Sequence, residues 1–214
     1  MLILERIGTN RNNRNEDKQM KVVGVTGGVG SGKSEVLRVL EEQFNCGIIR
    51  TDDVARDLCE PGQISYELIV KEFGQEILDS DLRLDRPKLA SIVFSDERKL
   101  NILNACTHPQ VYEWVRKTVE QWTNEGKYSM IAVESALPEK LKEMKVCEEL
   151  WYVYVKPEIR RERLRISRGY TEEKMDAMFA SQLPDSLFIE NCQVVIDNNS
   201  DIENIEKQLG KLCR

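Results

Sequence analysis

Two kinds of hydrophobic pattern alternate along the chain. Short apolar runs such as Lys21–Val25 and Gly47–Ile49 end at turn or polar residues and are typical of buried strands. Between them, Ser34–Phe44 carries apolar residues three and four positions apart, the spacing of an amphipathic helix. Three later runs also have strand character: Ser129–Val133, Leu150–Val155 and Val194–Ile196. Five strands that alternate with helices predict an α/β fold of three layers, with a five-stranded parallel sheet.

The segment between the second and third predicted strands has a different pattern. Residues 64–126 lack a strand signal and show helical periodicity over three ranges: Ser65–Phe73, Arg86–Phe94 and Glu97–Trp122. After the fourth strand, Pro157 predicts the first residue of a helix, because a missing N–H costs nothing there. Residues 168–171 interrupt that helix, Thr171 is a candidate N-cap for the next, and Ile202–Leu212 predicts a closing helix.

These patterns divide the chain into four parts. Residues 1–19 are polar after a short apolar start, and we expect them to be a disordered extension. We assign the sheet core to 20–58, 128–155 and 191–214. The helical insertion covers 59–127, and a second helical segment covers 156–190.

Composition and charge exclude several classes of protein. The 214 residues include 31 Lys and Arg against 37 Asp and Glu, a formal charge of −6. The acidic balance argues against a general nucleic-acid-binding protein, and no apolar run approaches the roughly 20 residues that span a bilayer. Six dispersed cysteines without paired spacing predict reduced thiols and a cytoplasmic location rather than disulfides or a zinc site.

One motif points to chemistry. Gly27–Ser34 reads GGVGSGKS, which fits G-x-x-x-x-G-K-[ST], and it lies between a predicted strand and a predicted helix. Glycines let phosphate oxygens approach the backbone N–H groups, Lys33 adds a positive charge, and the Ser34 hydroxyl can bind Mg²⁺. We therefore predict binding of ATP and Mg²⁺ by the loop and the start of the helix: Gly28, Val29, Gly30, Ser31, Gly32, Lys33, Ser34 and Glu35.

The rest of the sequence narrows the kind of P-loop protein. A GTPase would carry an Asn-Lys-x-Asp motif, which is absent from this sequence. A motor-type ATPase would have an Asp at the end of the third strand, where this sequence has Glu134. A small-molecule or nucleotide kinase needs an acceptor-binding insertion and an arginine-rich lid. Segment 59–127 fits the first requirement, and the arginines of 156–190 fit the second unless they form only a solvated helix face. Those arginines are Arg160, Arg161, Arg163, Arg165 and Arg168.

From about Met20 to Asn198 the sequence resembles the dephospho-coenzyme A kinase family. The order of an Asp-Arg pair, a His-Pro pair and a final Ile-Asp-Asn makes the resemblance specific. The matching residues are Gly24–Ser34, Asp52, Ala55-Arg56, Glu60–Gly62, Phe73-Gly74, Leu84–Arg86, Leu89, Val93-Phe94, Leu103-Asn104, His108-Pro109, Gln182 and Val194–Asn198. Departures from the common pattern lie at Arg50, at Glu35, at Ser135–Glu139 and in a shorter lid segment.

The resemblance implies phosphorylation of the ribose 3′-hydroxyl of dephospho-coenzyme A by ATP. It implies that Asp52 is the base, with Lys33 and the lid residue Arg168 as the other catalytic residues. Asp52, Arg56, Arg86 and His108 are then acceptor-binding residues, and Ser34 is a ligand of Mg²⁺. Helix N-capping remains an alternative role for Asp52 and Asp53, and a half-buried turn position remains one for His108.

Two other functions stay open on the sequence alone. One is a P-loop kinase that acts on another nucleoside or nucleotide. The other is a non-catalytic ATP-binding regulator on the same fold. In either case we expect small-molecule ligands, no nucleic acid, no membrane, and a monomer or weak homo-oligomer.

Overall fold

The structure is a computed structural model that describes residues 20–213. The predicted disordered extension, residues 1–19, lies outside these residues. Five parallel strands form one sheet in the order β2-β3-β1-β4-β5. The strands are β1 (Lys21–Thr26), β2 (Cys46–Arg50), β3 (Met130–Glu134), β4 (Glu149–Tyr154) and β5 (Val194–Asp197). The predicted α/β fold with a five-stranded parallel sheet is confirmed.

Ten α-helices connect and cover the strands of residues 20–213. They are α1 (Lys33–Phe44), α2 (Thr51–Leu58), α3 (Ile64–Phe73), α4 (Arg86–Phe94), α5 (Glu97–Glu125), α6 (Pro138–Met144), α7 (Pro157–Arg168), α8 (Glu172–Ala180), α9 (Asp185–Asn191) and α10 (Ile202–Leu212). A short 3₁₀ turn, Gln75–Ile77, follows α3. The sequence analysis missed α6 and α9, and α5 continues one turn past the predicted end at Trp122.

The central strand β1 separates two hydrophobic layers. Val23 and Val25 face the layer formed with α1 and α10, whereas Val22 faces the layer that includes parts of α2, α5 and α6. Successive side chains of a strand point to opposite faces, so a run that is apolar at nearly every position is buried on both sides. This is the three-layer arrangement that the sequence predicts.

The helical insertion has its own small core. Ile69, Ile77 and Leu89 pack there with Cys106, which lies in the first half of α5. The same helix continues along the sheet, where Val115 is fully buried with residues of β1 and β3. One long helix therefore contributes to both cores and connects the insertion to the sheet.

The segment that we assigned to the lid consists of α7, α8 and α9. Helices α7 and α8 are joined by Arg161, which pairs with Glu172 (2.9 Å) and Asp176 and lies over the ring of Phe179. Arg161 therefore links these two helices at the protein surface. The third helix, α9, packs on the sheet instead.

Candidate active site

The P-loop connects β1 to α1 in a conformation that needs glycine. Gly30 and Gly32 have φ of +80° and +87°, which side chains with a Cβ rarely adopt. A Cβ on Gly32 would also collide with the amide of Asn198. That buried amide donates to the carbonyl oxygen of Ser31 at 2.8 Å. The residue that follows β5 therefore stabilises the conformation of the P-loop.

Lys33 lies at the first position of α1 and is enclosed by the loop. Its Nζ donates to the carbonyl oxygen of Gly27 at 2.7 Å and lies 3.6 Å from Oε1 of Glu134. Only 16% of the Lys33 side chain and 13% of the Glu134 side chain are exposed. Burial lowers the pKa of Lys33, although Glu134 and Asp52 favour its charged form, and burial raises the pKa of Glu134.

Glu134 reaches this position because of the sheet register. It is the last residue of β3, paired with Val25 of β1 on one side and with Arg50 of β2 on the other. The carboxyl ends of parallel strands meet at one edge of the sheet, where ligands bind in open α/β folds. The sequence analysis noted Glu134 after a strand but gave it no role.

Asp52 enters the site from the neighbouring strand end. It lies in the first turn of α2, directly after β2, and its charge acts on Lys33, Glu134 and Lys140. The N-cap position of α2 is Arg50, so neither Asp52 nor Asp53 caps the helix with its side chain. Asp53 instead pairs with Arg56 at 3.0 Å on the exposed side.

One arginine of the cluster is buried against the P-loop, and it is Arg160. Its Nε and Nη2 donate to the carbonyl oxygen of Val29 at 3.2 and 3.1 Å, and Nη2 also donates to Gln182 Oε1 at 2.6 Å. The guanidinium lies 4.5 Å from the ring centre of Phe179. The backbone N–H of Val29 donates to the same Gln182 oxygen at 3.2 Å.

The other arginines are placed differently. Arg168, our predicted catalytic arginine, is exposed at the last residue of α7 and lies over Tyr170. It is eight residues from Arg160, which corresponds to about 12 Å along a helix. Arg163 is closer to the loop, since a Cβ on Gly32 would lie 3.7 Å from its Nη1. In this conformation Arg160 and Arg163, not Arg168, are the arginines beside the P-loop.

The remaining predicted nucleotide-binding residues follow the loop. Ser31 is buried, and Ser34 follows Lys33 in the first turn of α1. The Glu35 side chain points away, because its carboxylate pairs with Arg38 at 2.6 Å on the surface. Any contact of Glu35 with a nucleotide would therefore come from its backbone.

A cavity of about 490 Å³ opens beside Asp52. It brings together the four predicted acceptor-binding residues, Asp52, Arg56, Arg86 and His108, from three different helices. Apolar side chains of the insertion complete much of its wall, among them Ile69, Leu84, Leu89, Leu103 and Val111. Such a mixture of apolar wall and few polar groups is typical of a small-molecule site.

His108 lies inside α5, next to Pro109, and not at a turn. Its Nε2 is 2.8 Å from Nζ of Lys140, a residue of α6 that lines the same cavity. Burial and the positive charge of Lys140 lower the pKa of His108, whereas Glu143 opposes them. Burial also lowers the pKa of Lys140.

Comparison with known proteins agrees with this geometry. A family model described as dephospho-CoA kinase matches residues 21–204. The chain belongs to the dephospho-CoA kinase family. It is similar to a dephospho-CoA kinase of Carboxydothermus hydrogenoformans, with 36% identity over 190 residues, or 89% of this chain and 91% of that protein. The family resemblance predicted from the motifs is confirmed.

Solved structures show the same fold at lower identity. A Thermus thermophilus protein superposes with a TM-score of 0.75 and 24% identity, covering 91% of this chain and 97% of that one. A dephospho-CoA kinase from Campylobacter jejuni gives a TM-score of 0.58 and 21% identity, covering 91% and 96%. At these identities the likeness concerns the fold.

Several side chains of this family member were missed or left without a role by sequence reasoning, among them Glu134, Arg160, Gln182 and Lys140. A signal for Arg160 did exist. Leu164, an apolar residue in the middle of α7, is buried, and Arg160 lies four residues before it on the same helix face. Arg160 is therefore on the side of the helix that faces the protein. Lys140 follows a Pro in a helix of seven residues, which is too short to show a period.

Proposed function

We propose that this chain transfers the γ-phosphoryl group of ATP to the ribose 3′-hydroxyl of dephospho-coenzyme A, giving coenzyme A and ADP. Family membership supports the ATP-dependent phosphorylation of dephospho-coenzyme A, which completes coenzyme A biosynthesis. The observation that carries the proposal is the position of Asp52. It lies between the buried P-loop lysine and the acceptor cavity.

The P-loop side of the site has the groups needed to bind the phosphates of a nucleotide. The P-loop offers backbone N–H groups and the N-terminal end of α1, which favour an anion. Lys33 supplies a charge that is already desolvated, so its attraction to phosphate oxygens is stronger than in water. Arg160 is held at Val29 and can donate to oxygens of the transferred group as negative charge builds up there.

The acceptor side needs a base. We assign this role to Asp52, whose carboxylate accepts the proton of the 3′-hydroxyl while the hydroxyl oxygen bonds to the γ-phosphorus. The bond from that phosphorus to the bridging oxygen breaks, and ADP leaves with the electron pair. Asp53 is unsuitable for this role because it does not line the acceptor cavity and instead pairs with Arg56 on the exposed side.

The oxygen groups near Lys33 fit Mg²⁺. The hydroxyl of Ser34 and the carboxylates of Glu134 and Asp52 are hard donors, and the described residues contain no group of three His, Cys, Asp or Glu side chains that would form a complete metal site. Such a donor set suits an ion that is held largely by phosphate oxygens and water. When bound, Mg²⁺ neutralises phosphate charge. We propose Ser34 as its protein ligand.

The lid contributes by covering the loop. Arg160 and Gln182 bind Val29 from α7 and the end of α8, so closure of these helices would exclude water from the transferred phosphate. We retain Arg168 as a residue that reaches the nucleotide only if the lid moves further. Within residues 20–213, none of the helices combines the length and hydropathy needed to cross a bilayer. The cytoplasmic location and the monomeric or weakly oligomeric state stay predictions.

An acceptor panel with coupled detection of ADP tests the proposal. Dephospho-coenzyme A should be phosphorylated with a kcat/KM at least about 100-fold above that of adenosine, AMP or cytidylate, since one or two additional charged contacts suffice for this difference. A preference for another nucleotide would favour a different P-loop kinase. If single-turnover experiments with bound ATP give no transfer to any of these acceptors, the chain is a non-catalytic ATP-binding protein.

A further inference from the structure

The acceptor cavity contains a half-buried cation, Lys140, that has no salt bridge to a carboxylate among the described residues. Among the contacts of residues 20–213, Lys140 Nζ has a single polar partner, Nε2 of His108 at 2.8 Å. Glu143, the carboxylate of the same helix whose charge acts on Lys140, accepts a hydrogen bond from Tyr112 at 2.6 Å. Lys140 therefore retains hydrogen-bonding capacity and charge, because an ammonium group has three donors.

His108 holds Lys140 in place without cancelling its charge. A charged lysine can only donate, so Nε2 of His108 is the acceptor and its ring proton is on Nδ1. The same two side chains line the cavity from α5 and α6. A half-buried ammonium whose partner is a neutral ring gains more from an added anion than one that is already paired.

The other two cations of the cavity differ from Lys140 either in their pairing or in their exposure. Arg56 is paired with Asp53 at 3.0 Å, and Arg86 is exposed at the start of α4. The charge of Lys140 acts on that of Asp52, which lines the same cavity. A group bound at Lys140 would thus lie close to the hydroxyl that Asp52 orients.

We propose that Lys140 binds the diphosphate of dephospho-coenzyme A and that His108 positions it. This inference rests on the proposed function, because the diphosphate is attached to the 5′ carbon of the ribose whose 3′-hydroxyl reacts. It assigns acceptor binding to a residue that lies directly after the segment Ser135–Glu139, where this sequence departs from the common family pattern. Lys140 is a binding residue and His108 a positioning residue.

The first test compares Lys140→Met, Lys140→Arg and the control Lys142→Met. Lys142 lies on the same helix but donates to Asn191 at 2.7 Å on the surface. Lys140→Met should raise the KM for dephospho-coenzyme A about 10–100-fold, the range of a charge-assisted hydrogen bond, and leave the KM for ATP within about twofold. Lys140→Arg should restore much of the loss, and Lys142→Met should behave as wild type.

Adenosine serves as the uncharged acceptor in the same assay. It carries the 3′-hydroxyl without the diphosphate, so Lys140→Met should change its kcat/KM by no more than about threefold, because adenosine has no anionic group for Lys140 to bind. An equal loss of kcat with both acceptors would mean that Lys140 acts on the reacting oxygen or on the fold, and would overturn the inference. An unchanged KM for dephospho-coenzyme A in Lys140→Met would overturn it as well.

The single histidine of the sequence gives a direct readout of binding. The charged groups that act on His108 are Lys140 and Glu143 of α6, and Tyr112 stacks beside it on α5. Asp52 of α2 acts on Lys140. In NMR titrations without ATP, dephospho-coenzyme A should raise the pKa of His108, because an anion arrives at Lys140. Adenosine should not, and Lys140→Met should abolish the response.

These readouts separate the two proposals. If the wild-type protein transfers no phosphate to dephospho-coenzyme A, the proposed function fails. If transfer is normal but the pKa of His108 does not respond to dephospho-coenzyme A, the assignment of Lys140 and His108 fails while the proposed function stands.

Discussion

Arg160 donates two hydrogen bonds to the carbonyl oxygen of Val29, at 3.1 and 3.2 Å. This contact joins α7, the first helix of the segment that we assigned to the lid, to the P-loop. A Cβ on the neighbouring Gly28 would lie 2.5 Å from Nη2 of Arg160, so the glycine provides the space that the guanidinium occupies. The lid arginine and the loop are therefore fitted to each other.

The first prediction concerns which arginine serves the reaction. Arg160→Lys keeps a positive charge but loses the planar guanidinium group with its paired donors. We expect kcat to fall about 100-fold or more, which is the effect of removing one hydrogen-bond donor to the transition state. Arg168→Ala should lower kcat by less than about fivefold, because Arg168 is exposed and about 12 Å away along the helix. Steady-state kinetics at saturating ATP checks both variants. Equal effects would return Arg168 to the catalytic role.

The second prediction concerns the base. Asp52→Asn keeps the volume and the hydrogen-bonding reach of the side chain but loses its basic oxygen. We expect kcat to fall about 10²–10⁴-fold, with ATP binding little changed. Asp53→Asn is the matched control, and it should cost less than about threefold because Asp53 only pairs with exposed Arg56. A larger loss for Asp53→Asn than for Asp52→Asn would reverse the assignment.

The third prediction concerns the buried pair at the P-loop. Lys33→Met should lower kcat by at least about 100-fold, because it removes the positive charge that stabilises the transferred phosphoryl group. The fold should persist, since Glu134 is already disposed to take up a proton when its partner is lost. Circular dichroism and thermal unfolding would check the fold beside the kinetics. Near-normal turnover of a folded variant contradicts the mechanism.

Local pattern sufficed for most of the fold but not for the details of the site. The P-loop and the strands are encoded in contiguous residues, so Gly32, Lys33 and the positions of the five strands along the chain could be predicted. Short helices such as α6 could not, because seven residues do not display a period. The choice of Arg160 over Arg168 depends on how α7 is rotated against the loop, which is a tertiary property.

In the acceptor site too, some residues could be predicted from local motifs, whereas others depend on tertiary packing. Motif matching indicated Asp52, Arg56, Arg86 and His108, and the structure brings all four to one cavity. The contact between His108 and Lys140 joins residues 32 positions apart in the sequence. No local signal predicts such a contact, since it depends on how α6 packs beside α5.

The fourth prediction concerns pH. His108 has a pKa below its ordinary value of 6.5, mainly through burial, so the folded protein binds its proton less readily than the unfolded chain. The stability contribution of the neutral ring is complete above pH 6.5 and is lost as the pH falls from there towards the lowered pKa. Between pH 7 and pH 5, Tm should therefore fall more steeply for the wild type than for His108→Gln. The difference between the two slopes should be about 2 °C per pH unit.

Glutamine is the suitable replacement because its side-chain oxygen can still accept from Lys140. Other titrating groups contribute equally to both proteins, so the difference between the two slopes isolates His108, the one histidine of the chain. Parallel curves over this range would show that the ring titrates alike in the folded and unfolded states.

The chemical position of the transferred phosphate tests the central claim most directly. Dephospho-coenzyme A, ATP and Mg²⁺ are incubated with the protein, and the product is analysed by two-dimensional ¹H–³¹P correlation NMR. We expect one new phosphomonoester, correlated with the ribose H3′, for each ADP released. A phosphomonoester correlated with H2′, or release of ADP without any phosphomonoester, would contradict it.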